Sequence, residues 1–105
     1  MAEENFNPQK EGERIAKSYL SSLGWVKAAQ RNVWSKLSPT EDDFKAADTG
    51  LDNAEAILSS GFDKWHNDPN PQAKAVLFGM YKVLKNRNDL GFIGKRIVDR
   101  LRRMF

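Results

Sequence analysis

The sequence contains no cysteine, a single histidine and no run of about 18 apolar residues, and each gap removes a class of function. Without cysteine there is no disulfide framework, no thiolate metal site and no Cys nucleophile. Without a long apolar run there is no membrane-spanning helix, and no stable membrane insertion is expected. The amino terminus, Met1-Ala2-Glu3-Glu4-Asn5, lacks the basic and apolar regions of a signal peptide, so the chain as given reads as soluble and not self-targeting.

At 105 residues the chain suits one hydrophobic core, and three Trp, six Phe and two Tyr supply large groups to fill it. The net charge of +3 hides a polarity. Residues 1–55 carry seven basic and ten acidic side chains, whereas residues 56–105 carry ten basic and four acidic. A basic second half suits an acidic partner, or attraction between the two halves of the chain.

Residues 1–12 are polar, hold a Pro and a Gly, and read as a flexible leader ahead of a single domain spanning 13–105. From Glu13 the apolar residues follow helical spacing. Ile15, Ala16, Tyr19, Leu20 and Leu23 form one set and Val26, Ala29, Val33, Trp34 and Leu37 a second, with Gly24 between them as a stop or kink. Ser38-Pro39-Thr40-Glu41 has the hydroxyl, proline and acid of a helix start, and Thr49-Gly50 would end that helix early. A run from Leu51 to Trp65 follows. Asn70-Pro71 opens another helix over about 71–86, and Leu90 to Met104 forms a last, strongly basic one. No segment alternates with period two, so the expectation is an all-α, single compact bundle of five or six short helices. Its core should contain Ile15, Leu20, Val33, Trp34, Leu37, Phe44, Ile57, Leu58, Phe62, Trp65, Val76, Leu77, Met80, Ile93, Ile97 and Leu101.

Nothing in the pattern makes a catalytic constellation. His66 has no second ligand at helical spacing, and the adjacent acids Asp42-Asp43 point to different sides of a helix. Gly91 and Gly94 lack the preceding strand that a phosphate loop needs. The sequence therefore predicts no reaction, no cofactor and no metal.

Two patterns suggest recognition instead. Leu90-Gly91-Phe92-Ile93-Gly94-Lys95-Arg96 looks like the turn of helix-hairpin-helix DNA-binding modules, where glycines let amides at a helix start meet a phosphate. In that motif Phe92 stands where the first glycine belongs. The second pattern runs over residues 30–90: Trp34, Ser38-Pro39, a short helix, Ala56 to Trp65, then Asp68-Pro69-Asn70-Pro71 before another helix. It resembles, in spacing and residue class, the WY-type helical fold of oomycete RXLR effectors, without their Arg-x-Leu-Arg motif or core Tyr. The resemblance implies that Trp34 is the core Trp, that Trp65 stands at or near the place of the Tyr, and that the surface binds a host protein.

The expectation from the sequence is thus a non-enzymatic macromolecule-binding module. By resemblance it is a secreted pathogen effector, host-intracellular in its action, that binds a host protein to suppress immunity. The alternative is a small cytoplasmic nucleic-acid-binding or nucleoprotein-assembly factor. Both use the same candidate residues, Phe92, Lys95, Arg96, Arg100, Arg102 and Arg103, with Phe105 beside them.

Overall fold

A computed structural model describes residues 7–36 and 38–105 as four helices: α1 (Pro8–Trp34), α2 (Glu41–His66), α3 (Pro71–Leu84) and α4 (Phe92–Met104). Among the described residues there is no strand. Among the described residues the fold is an all-helical bundle, with four helices rather than five or six. The difference has one cause. Gly24 and Gly50, expected to stop or kink a helix, both lie inside helices, and no glycine adopts the positive φ that ends a helix at such a residue.

The helix starts also move. α1 begins at Pro8, inside the stretch expected to be a leader, because the Asn7 side chain accepts from the Lys10 amide and Pro8 needs no amide partner. α2 is capped by Thr40, not Ser38: Thr40 Oγ1 accepts from the Asp43 amide, and Asp43 accepts from the Thr40 amide in return. Lys36 and then the Thr40 amide hold the Asp43 carboxyl down at about 2. α3 starts at Asn70-Pro71 as the sequence indicates, and ends at Leu84 rather than 86.

Direction follows from the contacts. Ile15 lies against Gly61 and Val26 against Gly50, so α1 and α2 are antiparallel. The chain then climbs back along α1, from Gly79 beside Gln9 to Asp89 beside Lys27, and α4 descends along α2, with Gly94 at Glu55 and Arg100 at Phe62. α1 and α3 meet backbone to backbone. A Cβ on Gly12 would sit 1.8 Å from the Val76 carbonyl oxygen, and one on Gly79 would sit 2.0 Å from that of Gln9. Only glycine lets these two backbones touch.

Ile15, Tyr19, Leu58, Phe62, Val76, Leu77, Met80, Leu84, Ile97 and Leu101 belong to one buried core around this junction. Of the predicted core, Leu20 and Trp65 are half-buried against it. Trp34, Phe44, Ile57 and Ile93 instead face solvent, and Leu37 lies outside the described residues. Trp34 is 78% exposed and touches Phe44 edge-to-face at 5.9 Å. Beyond Val26 and Gly50, α1 and α2 run on as a two-helix projection on which, among the described residues, only Val33 and Ala47 are buried. Consistent with this, the radius of gyration is 15.9 Å, against about 13 Å for a compact domain of this length.

These contacts order the effects of three substitutions. Gly12→Ala should lower stability by about 3 kcal/mol or more, because the intruded atom is backbone and cannot step aside. Gly24→Ala, which meets nothing within 4 Å, should raise it by about 0.5–1 kcal/mol. Trp34→Ala should cost about 1 kcal/mol or less. Urea unfolding midpoints measure all three, and a Gly12→Ala variant as stable as the parent would contradict the α1–α3 contact.

Candidate macromolecule-binding face

α4 begins at Gly91, which has no side chain to cap the helix, so its first amides need partners from elsewhere. Two buried side chains supply them. Glu55 of α2, 5% exposed, accepts from the Gly94 amide at 3.0 Å, and the Tyr19 hydroxyl of α1 accepts from the Gly91 amide at 3.2 Å. The glycines make room for these groups. A Cβ on Gly91 would sit 1.7 Å from Glu55 Oε1, and one on Gly94 would sit 2.4 Å from the Tyr19 hydroxyl. A carboxylate of the chain itself therefore fills the amide pocket that the hairpin-like Gly91–Gly94 segment was expected to offer a phosphate.

Burial pushes the Tyr19 phenol up to about 12. It also raises the Glu55 carboxyl above its ordinary 4.5, opposed by the Gly94 amide and the Tyr19 hydroxyl, which favour the anion. Glu55 Oε1 has no hydrogen-bond partner among the described residues. Upstream, Lys27 fastens the loop before α4 to α1 through the Asp89 backbone oxygen, at 2.7 Å, and the Asp89 carboxylate, at 3.3 Å. Arg87 and then Lys27 hold that carboxyl well below the usual carboxylate range.

With its start fixed, α4 turns Gly94, Ile97, Val98 and Leu101 inward. The predicted site residues then separate into two groups. Phe92, Arg96, Arg100 and Arg103 recur at helical spacing along the outward face. Phe92 is 74% exposed with the Arg96 guanidinium 5.7 Å from its ring centroid, and Arg100 lies 5.0 Å over Phe62. Lys95 and Arg102 fall on the other flank, beside Arg87, Asn88 and Val98. Arg102 is committed to Asp99 at 3.1 Å, and Phe105 meets Phe78 edge-to-face and stacks with Tyr81 instead of joining the face. Among the described residues, Lys95, Arg96, Arg100 and Arg103 pair with no carboxylate.

Sequence reasoning missed the other wall of this site. Ser59, Phe62 and Asp63 of α2 meet Ile93, Arg96, Ile97 and Arg100 of α4 in a groove of about 240 Å³, whose floor is the buried pair Phe62 and Ile97. The signal available was the α2 stripe that contains Ser59 and Phe62. His66 stacks on Phe62 at 4.9 Å at the end of the same stripe. A wider, open trough of about 530 Å³ runs along α1 past Lys10, Arg14 and Lys17, but Glu13 lines it too and Arg14 is paired with Glu11. Among the described residues no three His, Asp or Glu side chains cluster as a metal site would require, and no helix is long and apolar enough to cross a membrane. Comparison of the chain with family models, curated proteins and solved structures finds no match.

The buried carboxyl makes stability pH-dependent with a definite sign. A raised pKa means that the folded state holds the Glu55 proton more tightly than the unfolded chain, whose value is near 4.5. This group's contribution is therefore fully present below 4.5 and is lost as pH rises through the folded pKa. Glu55→Gln, which carries no charge, should lose that dependence and gain on the parent as pH rises from 4.5 to neutrality. Unfolding midpoints of both proteins across this range provide the check. A difference that is constant with pH would contradict the titration.

Proposed function

We infer that the chain is a non-enzymatic binding module that holds an acidic segment of a protein partner against α4. The observation that carries this reading is the outward stripe of Phe92, Arg96, Arg100 and Arg103, unpaired with carboxylates among the described residues, beside an apolar-floored groove. Arginine and aromatic side chains in this arrangement are the usual anchors of protein interfaces. An acidic segment with one apolar residue would meet charge on the rim and Phe62 and Ile97 on the floor.

The wider setting we propose is the one the helical resemblance implies: a secreted effector that enters a host cell and suppresses immunity by binding a host protein. Support for it is the helical bundle itself. Trp34, the residue that the resemblance placed in the core, lies on the surface.

The same arginines favour a second reading, nucleic-acid binding. With the α4 amides taken by Glu55, phosphates would be held by side chains alone, and affinity should fall by orders of magnitude between about 50 and 200 mM salt if several are contacted.

Fluorescence anisotropy with a labelled acidic peptide, and with single- and double-stranded nucleic acid, separates the readings. Arg96→Ala and Arg100→Ala should each weaken peptide binding by about five- to tenfold. Arg102→Ala, already paired with Asp99, should change it little. Tight, steeply salt-dependent nucleic-acid binding with no peptide binding would assign the face to nucleic acid instead.

A further inference from the structure

Along α2 one stripe of residues recurs every three or four positions without a break: Glu41, Phe44, Asp48, Asp52, Glu55, Ser59, Phe62 and His66. Its second half is covered by α4, through the Glu55–Gly94 hydrogen bond, the Ser59–Ile93 groove wall and the Phe62–Arg100 contact. Its first half lies on the projection and is exposed. There the face is acidic, with Phe44 at its centre, 39% exposed, and Trp34 packed on Phe44 from α1. Among the described residues, Glu41, Asp48 and Asp52 form no ion pair.

We propose that a second copy of this chain covers that half, its α4 lying antiparallel along Glu41–Asp52 to form a two-fold symmetric dimer. The proposal rests on the reading of α4 as a surface for an acidic segment, and it names that segment as the chain's own. Three features argue for this occupant.

The first is charge. With Arg102 paired to Asp99 and Asp43 to Lys36, α4 still carries Lys95, Arg96, Arg100 and Arg103, while the first turns of α2 carry Glu41, Asp42, Asp48 and Asp52 against the single Lys45. The second is spacing. Read in opposite directions, the two stripes have the same intervals: four, four and three from Phe92 to Arg103, and four, four and three from Asp52 to Glu41. This register sets Arg96 opposite Asp48, Arg100 opposite Phe44 and Arg103 opposite Glu41.

The third is fit. α4 has 13 residues, and at 1.5 Å per residue it is about 20 Å long, as is the uncovered part of α2 up to Glu55. Because α4 starts level with Glu55, inverting a second copy about this level places its α4 beside the exposed half of the first. The two α4 helices then lie end to end between two antiparallel α2 helices. Each α4 packs its apolar side on its own bundle, and the rim of the α2–α4 groove that carries Arg96 and Arg100 beside Phe62 faces the partner's α2. The same contact is made twice, so the assembly closes as a dimer.

Sedimentation velocity at low salt over a range of protein concentrations tests the proposal, with circular dichroism confirming that each variant is folded. The parent should be dimeric. Asp48→Arg alone and Arg96→Asp alone should each raise the dissociation constant by about 100-fold or more, since like charges then face one another twice per dimer. The two changes combined in one chain should restore the dimer. Anisotropy with labelled polyglutamate accompanies each run, and Asp48→Arg, which frees α4, should bind the probe more tightly than the parent.

A parent that is monomeric at every concentration overturns the dimer. If that monomer still binds polyglutamate through Arg96, the acidic-segment reading of α4 stands alone, whereas a monomer that binds nothing removes both. A dimer indifferent to either single reversal, or not restored by the pair, overturns this arrangement.

Discussion

The placement of α4 depends on one carboxylate. Glu55 reaches across from α2 to the amino-terminal amides of a helix that has no capping side chain of its own, and the Tyr19 hydroxyl joins it from α1. Three helices are pinned at this point. A buried carboxylate is costly unless its oxygens find donors, and here one oxygen has Gly94 while the other has no partner among the described residues. The net positive end of the helix dipole offsets part of that cost. A Cβ at 91 or 94 would push Glu55 or Tyr19 out of place, which accounts for both glycines in the Gly91–Gly94 segment without invoking a ligand.

A second constraint sets the shape. The glycine-to-backbone contact between α1 and α3 brings α3 against the amino-terminal half of α1, and leaves the far half of the α1–α2 hairpin projecting. Surface left over in this way is unusual in its chemistry. It combines an aromatic pair, Trp34 and Phe44, with Glu41, Asp48 and Asp52, which form no ion pair among the described residues, while the outward side of α4 combines Phe92 with Arg96, Arg100 and Arg103, which also lack partners there. The charge polarity of the two halves of the sequence thus becomes two separate faces, one on the hairpin and one on α4.

Much of this was legible before the structure. The helical class, the start of α3 and the basic face of α4 follow from spacing, proline position and charge. Other features were hidden for physical reasons. A glycine inside an apolar stripe looks the same whether it ends a helix or lets another helix approach, and the sequence does not reveal which; hence Gly50 suggested a break that does not exist. Asn7-Pro8 carries the same capping signal as Asn70-Pro71, but polar surroundings masked it, since the first turns of α1 bury little besides Gly12. Trp34 shares a helical stripe with Val33 and Val26 only approximately, and on a two-helix projection the core ends before it does. The stripe containing Ser59 and Phe62 was visible on α2, but its role as a groove wall was not, because nothing in the sequence pairs α2 with α4. That pairing is made by Glu55, a charged residue that periodicity analysis assigns to solvent.

The Gly94 amide gives the most direct reading of the account, through its proton chemical shift and hydrogen-exchange rate followed against pH. If Glu55 holds the start of α4, that amide is strongly protected, and its shift moves with a single titration whose midpoint lies above 4.5, the ordinary value for Glu. A Gly94 amide that exchanges as fast as a solvent-exposed helix start, with no such titration, would contradict the account, and α4 would then have to be placed by some other contact.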